Sequence, residues 1–293
     1  PVGTGVANRI GALTVTSAVD ATFSGAVYAA GFAQAAGTGT TTLNGAVNTS
    51  AAAGVTLTGT NLVLNAGITT AATGVVTLNH SGTTTIAASG DINADGAVSL
   101  AATGGITTGG DVTTTADAIG FNSPTTLSGS IALASAGGNV SFASTLSGTT
   151  DGAENLRITA GAGNVSFGGA VGATRLGAFT VTSAAEVDLA NVSAASISVA
   201  ATNTDLNGTA YSAAIGGDIL FSGAVDLTAG IATTTVTGGG NAGDLITFAS
   251  TVDDDVSGQT GLTLVAGEGN IAVTGPVGTG VANRIGALTV TSA

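Results

Sequence analysis

The first 18 residues of the chain, PVGTGVANRIGALTVTSA, return unchanged as residues 276–293, an offset of 275 residues. Separate domains of one globular protein do not repeat to identity, whereas the units of a tandem array do. We therefore predict that residues 1–275 form one full repeat and that residues 276–293 begin the next identical one, in a continuous rod with no internal domain boundary. In such a molecule, function is expected to depend on how the repeats stack and on the surface that the rod exposes.

Composition excludes several classes of function. The 293 residues include 17 acidic and 4 basic residues, the latter all arginine, for a net charge of −13. Phosphate backbones are bound by clustered Lys and Arg, so no nucleic-acid partner is expected. The absence of cysteine excludes disulfides and thiolate metal sites. No run of about 18 apolar residues predicts a membrane-spanning helix. Intrinsic disorder is disfavoured because prolines are few and Val, Ile and Leu recur throughout.

Short segments along the chain alternate apolar and hydroxyl residues. Such alternation places one set of side chains on each face of a β-strand, and β-branched Thr suits the outward face. Gly, Asn and Asp interrupt these segments every few residues, which leaves little room for helices. The chain is therefore predicted to be all-β. The clearest segments are LTVT at 13–16 and 288–291, VTLT at 55–58, VSL at 98–100 and ISV at 197–199.

A longer motif, in which Gly and then Asn or Asp precede an alternating strand, occurs at residues 138–142, 163–167, 217–221 and 269–273. Regular spacing with Gly-rich insertions is typical of a parallel β-solenoid, whose coils cover one another and whose tight corners suit Gly and Asn. At about 23 residues per coil, 275 residues make about twelve coils. The interior is expected to hold small apolar side chains, with phenylalanine where it widens, at Phe142, Phe167, Phe221 and Phe248.

An antiparallel β-sandwich array is the alternative fold. Its hairpins would turn at Asn-Gly or Asp-Gly pairs, which occur at residues 44–45, 95–96, 151–152 and 207–208. A sandwich also needs a core of large side chains, and aromatic residues make up only 3 % of this chain. The solenoid is therefore favoured.

The G-[ND]-x-x-F-x-G-x-V units, each followed by an LTVTAG-like strand, are clearest at residues 138–184 and 217–293. They resemble the repeat regions of large secreted bacterial exoproteins, namely the filamentous-haemagglutinin-like proteins and other giant β-strand-repeat adhesins. The resemblance covers nearly the whole chain and rests on the order and spacing of residue types within the repeats. It implies a right-handed parallel β-helical rod that is secreted to the cell surface and carries no catalytic residues. The expected fold is thus an all-β, right-handed parallel β-solenoid.

Acidic residues are the one candidate for a metal site. Residues 253–255 are three consecutive Asp, with Asp244 and Glu268 in neighbouring segments, and a matching loop contains Asp151 and Glu154. Carboxylates are ligands for Ca²⁺, but the calcium-binding nonapeptide GGxGxD is absent. A solvated loop is predicted, with calcium as the lesser option.

The other candidate residues are expected to be structural. His80 is the only histidine, and without a partner it is predicted to face solvent at the end of a strand. Arg9, Arg175 and Arg284 occupy the same place in A-x-R-[IL]-G-A repeats, where each faces water or forms a weak exposed pair. Scattered carboxylates and two tyrosines do not supply the groove of a polysaccharide-cleaving enzyme. No catalytic, cofactor-binding or metal-binding residue is assigned.

The sequence thus predicts a structural function, as the repeat unit of a long extracellular bacterial fibre or adhesin stalk on the cell surface. Its expected partners are copies of itself, through axial stacking and lateral bundling. The alternative is a binding module whose rod face or acidic loops recognise host or matrix glycans.

Overall fold

The computed structural model describes residues 1–214, 216–230, 232–256 and 258–292. Within these ranges the chain is all-β, with 34 strands and no helix. Parallel coils stack into a β-solenoid of about 12 turns, which confirms the predicted β-solenoid. The chain divides into two compact units, residues 1–145 and residues 146–293.

The described strands of the first unit are β1 (Ile10–Val15), β2 (Ala21–Phe23), β3 (Val27–Gln34), β4 (Thr40–Leu43), β5 (Val47–Thr49), β6 (Val55–Gly59), β7 (Asn61–Leu64), β8 (Ile68–Thr69), β9 (Val76–His80), β10 (Thr84–Ile86), β11 (Ile92–Ala94), β12 (Val98–Ala102), β13 (Ile106–Thr108), β14 (Val112–Thr114), β15 (Ile119–Phe121), β16 (Thr125–Leu127), β17 (Ile131–Ala134) and β18 (Val140–Phe142). Those of the second unit are β19 (Leu146–Gly148), β20 (Leu156–Thr159), β21 (Val165–Phe167), β22 (Val171–Ser183), β23 (Glu186–Leu189), β24 (Val192–Val199), β25 (Asn203–Leu206), β26 (Ala210–Ala213), β27 (Ile219–Phe221), β28 (Ala224–Leu227), β29 (Thr233–Thr237), β30 (Leu245–Phe248), β31 (Val252–Asp254), β32 (Gly261–Gly267), β33 (Asn270–Val273) and β34 (Leu288–Ser292).

Successive turns of the first unit contain three strands, and each strand pairs in parallel with its counterpart on the next turn. Strands β4, β7, β10, β13 and β16 form one sheet. Strands β5, β8, β11, β14 and β17 form the second, and β6, β9, β12, β15 and β18 the third. In the third sheet the successive partners are Val55, Val76, Val98, Ile119 and Val140, so one turn takes 21 or 22 residues, close to the expected length.

The second unit also has three parallel sheets. One contains β19, β22, β24, β26, β29, β32 and β34 in order, and another contains β20, β22, β24, β27, β30 and β33. The third consists of β21, β23, β25, β28 and β31. Because the pairings within both units are parallel, the antiparallel sandwich alternative is wrong.

The interior is built from the inward set of each alternating strand. Val55 and Leu57 in β6 are fully buried while Thr56 between them faces outward. Aromatic rings stack from turn to turn, with centroids 4.7 Å apart for Phe121 and Phe142. Phe167, Phe221 and Phe248 are also buried, so the prediction that phenylalanine fills the interior is confirmed.

The Gly-Asp pair of this motif, which also occurs at residues 90–91 and 110–111, has a physical role at the corners. The Asp91 Oδ1 accepts the N–H of Asp111 on the next turn at 2.9 Å, and the Asp111 Oδ1 in turn accepts the N–H of Ala132 at 2.8 Å. Asp218 repeats this contact with the N–H of Leu245 at 2.8 Å. A short polar side chain just before a strand therefore satisfies a main-chain donor that the corner leaves free.

Gly54 is a corner that admits no side chain. Its φ is +56°, in the left-handed region, and a Cβ there would clash with the carbonyl oxygen of Val75 on the next turn. Backbone approach of this kind requires glycine.

Candidate functional site

The repeated 18-residue segment occurs at two places in the structure, and each copy contacts a different neighbour. In the first copy, Val2 donates its N–H to the Ala26 carbonyl at 2.8 Å and accepts the N–H of Tyr28 at 2.7 Å. Strand β1 then pairs in parallel with β3, with Leu13 opposite Phe32. The first copy therefore covers the turn that follows it in sequence.

The second copy covers the turn that precedes it. The N–H of Val252 donates to the Pro276 carbonyl at 3.0 Å, and the N–H of Gly278 donates to the Val252 carbonyl at 2.8 Å. Strand β34 pairs in parallel with β32, with Leu288 opposite Leu262. The two copies thus use opposite edges of one and the same sequence.

Large apolar side chains at the surface concentrate in these two copies. Leu288 is 46 % exposed and Val290 is 58 % exposed, whereas the matching Phe179 and Val181 of the segment RLGAFTVTSA are buried. Each copy is covered from one side, which explains this exposure. In the described part of the chain, five of the seven exposed large apolar residues lie in the copies, namely Val6, Ile10, Val281, Leu288 and Val290.

The three equivalent arginines make specific contacts. Arg9 donates Nη1 to the Asn48 carbonyl at 2.6 Å and Nη2 to the Asn48 side-chain oxygen. Arg175 forms the one ion pair among the described residues, with 2.7 Å between its Nη2 and the Asp151 Oδ2. This pair is solvent-exposed, as predicted for such an arginine, and pairs of this kind contribute about 1 kcal/mol or less. The carbonyl of Arg284 accepts the N–H of Gly258 at 2.5 Å.

The acidic loop that contains residues 253–255 is built around one buried carboxylate. Asp254 is 1 % exposed, and its Oδ2 accepts the N–H groups of Gln259 and Thr260 at 2.8 and 2.9 Å, while its Oδ1 accepts that of Val256 at 3.2 Å. Burial by itself raises the pKa of Asp254, but the hydrogen bonds outweigh it and hold the pKa below its usual value. The predicted solvated loop is therefore wrong at Asp254, whereas Asp255 is exposed.

The matching loop uses Glu154 in the same way. Glu154 is 6 % exposed, and its Oε1 accepts the Thr149 hydroxyl at 2.5 Å and the Thr150 N–H at 3.1 Å. Burial raises the pKa of Glu154, and these hydrogen bonds more than offset that effect and lower it. In both loops, an inward carboxylate organises the main chain.

The acidic residues singled out from the sequence do not come together. Asp244 accepts the N–H groups of Gly216 and Asn241, both at 3.0 Å, and Glu268 is exposed on its own turn. Within the described residues, the one group of three carboxylates whose oxygens lie within 4.8 Å of one another consists of Glu186, Asp188 and Asp205.

Two of these carboxylates, Asp188 and Asp205, belong to an aspartate ladder that sequence reasoning missed. The ladder consists of Asp188, Asp205, Asp226 and Asp253, which are successive partners on the parallel strands β23, β25, β28 and β31. Asn203 donates its side-chain amide to the Asp205 Oδ1 at 2.8 Å and to the Asp226 Oδ2 at 3.0 Å. A signal was present in the sequence, because the ladder residues stand third in EVDL, NTDL, AVDL and TVDD at 186–189, 203–206, 224–227 and 251–254.

Asp205 has the strongest electrostatic perturbation in the ladder. Burial is the largest cause, and the negative charges of Asp188, Glu186 and Asp226 add to it, so the pKa of Asp205 rises to about 6 despite the hydrogen bond from Asn203. Carboxylates this close attract a proton, and their oxygens are also the ligand type of a hard cation such as Ca²⁺. Glu186, Asp188 and Asp205 are the residues that could hold one.

His80 is buried, so the prediction that it faces solvent is wrong. The side chain is 1 % exposed, its Nδ1 lies 3.4 Å from the Thr84 hydroxyl, and its Nε2 has no hydrogen-bond partner. Burial lowers the pKa of His80 to about 4, so the ring is neutral at pH 7. The residue does end strand β9, where Val76 and Leu78 are buried on the same face.

Tyr211 is equally part of the interior. Its hydroxyl donates to the Leu189 carbonyl and accepts the Gly208 N–H, both at 2.8 Å. Burial raises the pKa of the phenol. A fully buried ring cannot act as a platform for a sugar.

Comparisons of this chain with family models, curated proteins and solved structures found no match. No helix in the described part of the chain is long and apolar enough to cross a membrane.

Proposed function

We propose that this chain is the repeat unit of a long extracellular bacterial fibre or adhesin stalk, which forms a surface filament by stacking repeats end to end. One observation carries the proposal. The repeated 18-residue segment pairs with the following turn in its first copy and with the preceding turn in its second. One sequence with a partner on either edge is what a linear array needs at each junction.

The proposed mechanism is mechanical. Parallel hydrogen bonds link each turn to the next within a unit, and apolar columns such as Leu57 and Leu78 exclude water from the interior. Thr and Ser side chains cover the outward faces. An uncovered terminal turn presents unpaired main-chain groups, to which another repeat adds as a further strand.

The proposed partner is therefore another copy of the repeat, and no catalytic role is proposed. Asp254 and Glu154, the buried carboxylates of the two acidic loops, bind the main chain of their own loops. Such carboxylates are structural, and a proton-transfer role would need an accessible group.

Cryo-electron microscopy of a chain with two consecutive repeats, residues 1–275 followed by residues 1–293, tests this function. We expect rods in which a turn spacing of about 4.8 Å runs unbroken through the junction. Isolated compact particles joined by linkers would contradict the fibre. Specific glycan binding by such particles, lost on removal of one acidic loop, would favour the binding-module alternative instead.

A further inference from the structure

We propose that the 18-residue segment is a single turn shared by consecutive repeats, pairing on one edge with β32 of the preceding repeat and on the other with β3 of the following repeat. This inference rests on the proposed function and specifies its junction. Each half of the arrangement is already present in the structure, on a different copy of the segment. The inference is that one copy makes both sets of contacts at once.

The hydrogen bonds of the two halves are compatible. On the preceding side, the segment uses the Pro276 carbonyl and the Gly278 N–H. On the following side, it uses the N–H and carbonyl of Val2, which is equivalent to Val277. None of these four main-chain groups is therefore needed twice. The Thr279 N–H donates to the Asp253 Oδ1 on the preceding side at 2.7 Å, so in a shared turn it gives up the contact within the segment that the equivalent Thr4 N–H makes with the Asn8 carbonyl. Neighbouring residues of a parallel strand direct their main-chain groups to opposite sides, which is the geometry of a central strand.

The strand at the end of the segment shows the same alternation. The Ala287 carbonyl, which corresponds to that of Ala12, accepts the N–H of Leu262 on the preceding side at 2.7 Å. The Val15 carbonyl accepts the N–H of Ala35 on the following side at 2.9 Å. These two carbonyls thus face opposite neighbours, and both can be paired at the same time. Before the strand, the Gly286 N–H also faces the preceding side, where it donates to the Thr260 carbonyl at 2.7 Å.

Combining the two registers produces continuous apolar columns across the junction. Leu262 is opposite Leu288, and the equivalent Leu13 is opposite Phe32, so one column reads Leu, Leu, Phe over three turns. Covering the second side also removes the exposure of Leu288. Burial of exposed leucine and valine is the expected driving force of the junction.

The arginine of the segment contacts both neighbours. Its carbonyl accepts the Gly258 N–H of the preceding turn, as seen for Arg284 at 2.5 Å. Its guanidinium donates to the Asn48 carbonyl of the following turns, as seen for Arg9 at 2.6 Å. In a shared turn, one arginine makes both contacts.

A cross-linking experiment on the two-repeat chain tests the shared turn. Because the chain has no native cysteine, only the introduced cysteines react. Thr263→Cys in the first repeat is combined with Ala33→Cys in the second. Thr263 is opposite Thr289, and the equivalent Thr14 is opposite Ala33, so a shared turn places the two cysteines two turns apart, about 9.6 Å. A bis-maleimide of about that length should link them, whereas a direct disulfide should not form because its Cα atoms must lie within about 7 Å.

Two matched pairs calibrate the result. Ala33→Cys with Thr77→Cys in the 293-residue chain spans two observed turns, through Thr56, and should link to the same extent. Thr263→Cys in the first repeat with Thr77→Cys in the second is four turns apart in the shared-turn arrangement, about 19 Å, and should not link.

Linkage of the junction pair equal to that of the two-turn control supports the shared turn, and loss of that linkage while the control still links overturns it. Microscopy of the same samples separates this outcome from the proposed function. Fibres without the junction cross-link leave the fibre function standing and overturn the shared turn. The cross-link in compact particles that form no rod supports the shared turn and contradicts the fibre.

Discussion

Asp188 and Asp205 occupy directly paired positions on adjacent parallel strands, with carboxylate oxygens within 4.8 Å of each other. Like charges placed opposite each other in a sheet are destabilising. One sheet of the second unit therefore contains repelling charges, and this repulsion adds to burial, the larger cause, in raising the pKa of Asp205 to about 6.

Asp205→Asn is expected to stabilise the protein at pH 7 by about 1 kcal/mol, after allowance for solvent screening of a half-exposed ladder. The pKa of Asp205 lies near 6 in the fold and near 3.8 in its ordinary state, so the fold binds the proton more tightly. Wild-type stability should thus rise as the pH falls from 7 to 4, and the variant should lose that rise. Thermal unfolding in the presence of a chelator measures both effects. Asp255→Asn removes the same charge from an exposed position, and an equal response of the two variants would contradict the ladder.

His80→Gln is expected to remove a pH dependence of stability that is opposite in sign to that caused by Asp205. The pKa of His80 is about 4 in the fold against an ordinary value of 6.5, so the unfolded chain binds the proton more tightly. Stability is fully present above pH 6.5 and falls as the pH drops towards 4, by up to about 3 kcal/mol. Because Asp205 has the opposite slope in this range, unfolding is best compared in the Asp205→Asn background. An unchanged slope in the double variant would show that His80 is not buried in the neutral form.

Asp254→Asn should destabilise the second unit by about 1–3 kcal/mol, because an amide cannot accept all the main-chain N–H groups that the carboxylate accepts. The adjacent Asp255→Asn is the matched control and should have little effect. Hydrogen exchange of the Gln259 and Thr260 amides, which donate to Asp254, reports the loss locally. Equal exchange in the two variants would refute the structural role of this carboxylate.

Phe221→Ala should cost about 3–5 kcal/mol, since it removes a fully buried ring and leaves a cavity. The ring stacks on Phe248 with centroids 5.3 Å apart. Phe221→Leu retains much of the volume and should cost considerably less. Unfolding of both variants by urea gives the comparison, and similar losses would argue against a packed aromatic column.

Gly54→Ala should destabilise the first unit by about 1–2 kcal/mol or more, through left-handed backbone strain and the clash with the Val75 carbonyl. Gly11→Ala is the control, because a Cβ at Gly11 meets no atom within 4 Å. The thermal midpoints of the two variants should separate clearly. Equal midpoints would show that the corner can relax.

Period-2 alternation is enough to predict the strands, and the spacing of the Gly-Asn/Asp motif with its Gly-rich insertions predicts the solenoid and its inward Phe residues, because these features are local in sequence. The prediction for His80 is wrong although the same alternation, continued from Val76 and Leu78, places the residue inside. The prediction rests on the lack of a partner for this histidine, whereas a neutral imidazole is tolerated in an interior that a charged one is not.

The aspartate ladder and the buried Asp254 depend on register between turns. Asp188 and Asp205 are 17 positions apart while Asp205 and Asp226 are 21 apart, so no fixed period aligns them. Only the pairing of the strands shows which acidic residues stack. Residue type likewise does not show which loop carboxylate is buried, since Asp254 is buried and its neighbour Asp255 is exposed.

Each described turn within a unit pairs with the next one along the chain, at separations such as the 21 residues between Val55 and Val76. Further repeats add more contacts between neighbouring turns, and none of these contacts has to close a longer loop of chain. A chain with this architecture can acquire structure in one direction, as each new coil pairs with the one before it. The length of the array is then limited by synthesis of the chain, and not by the search for distant partners.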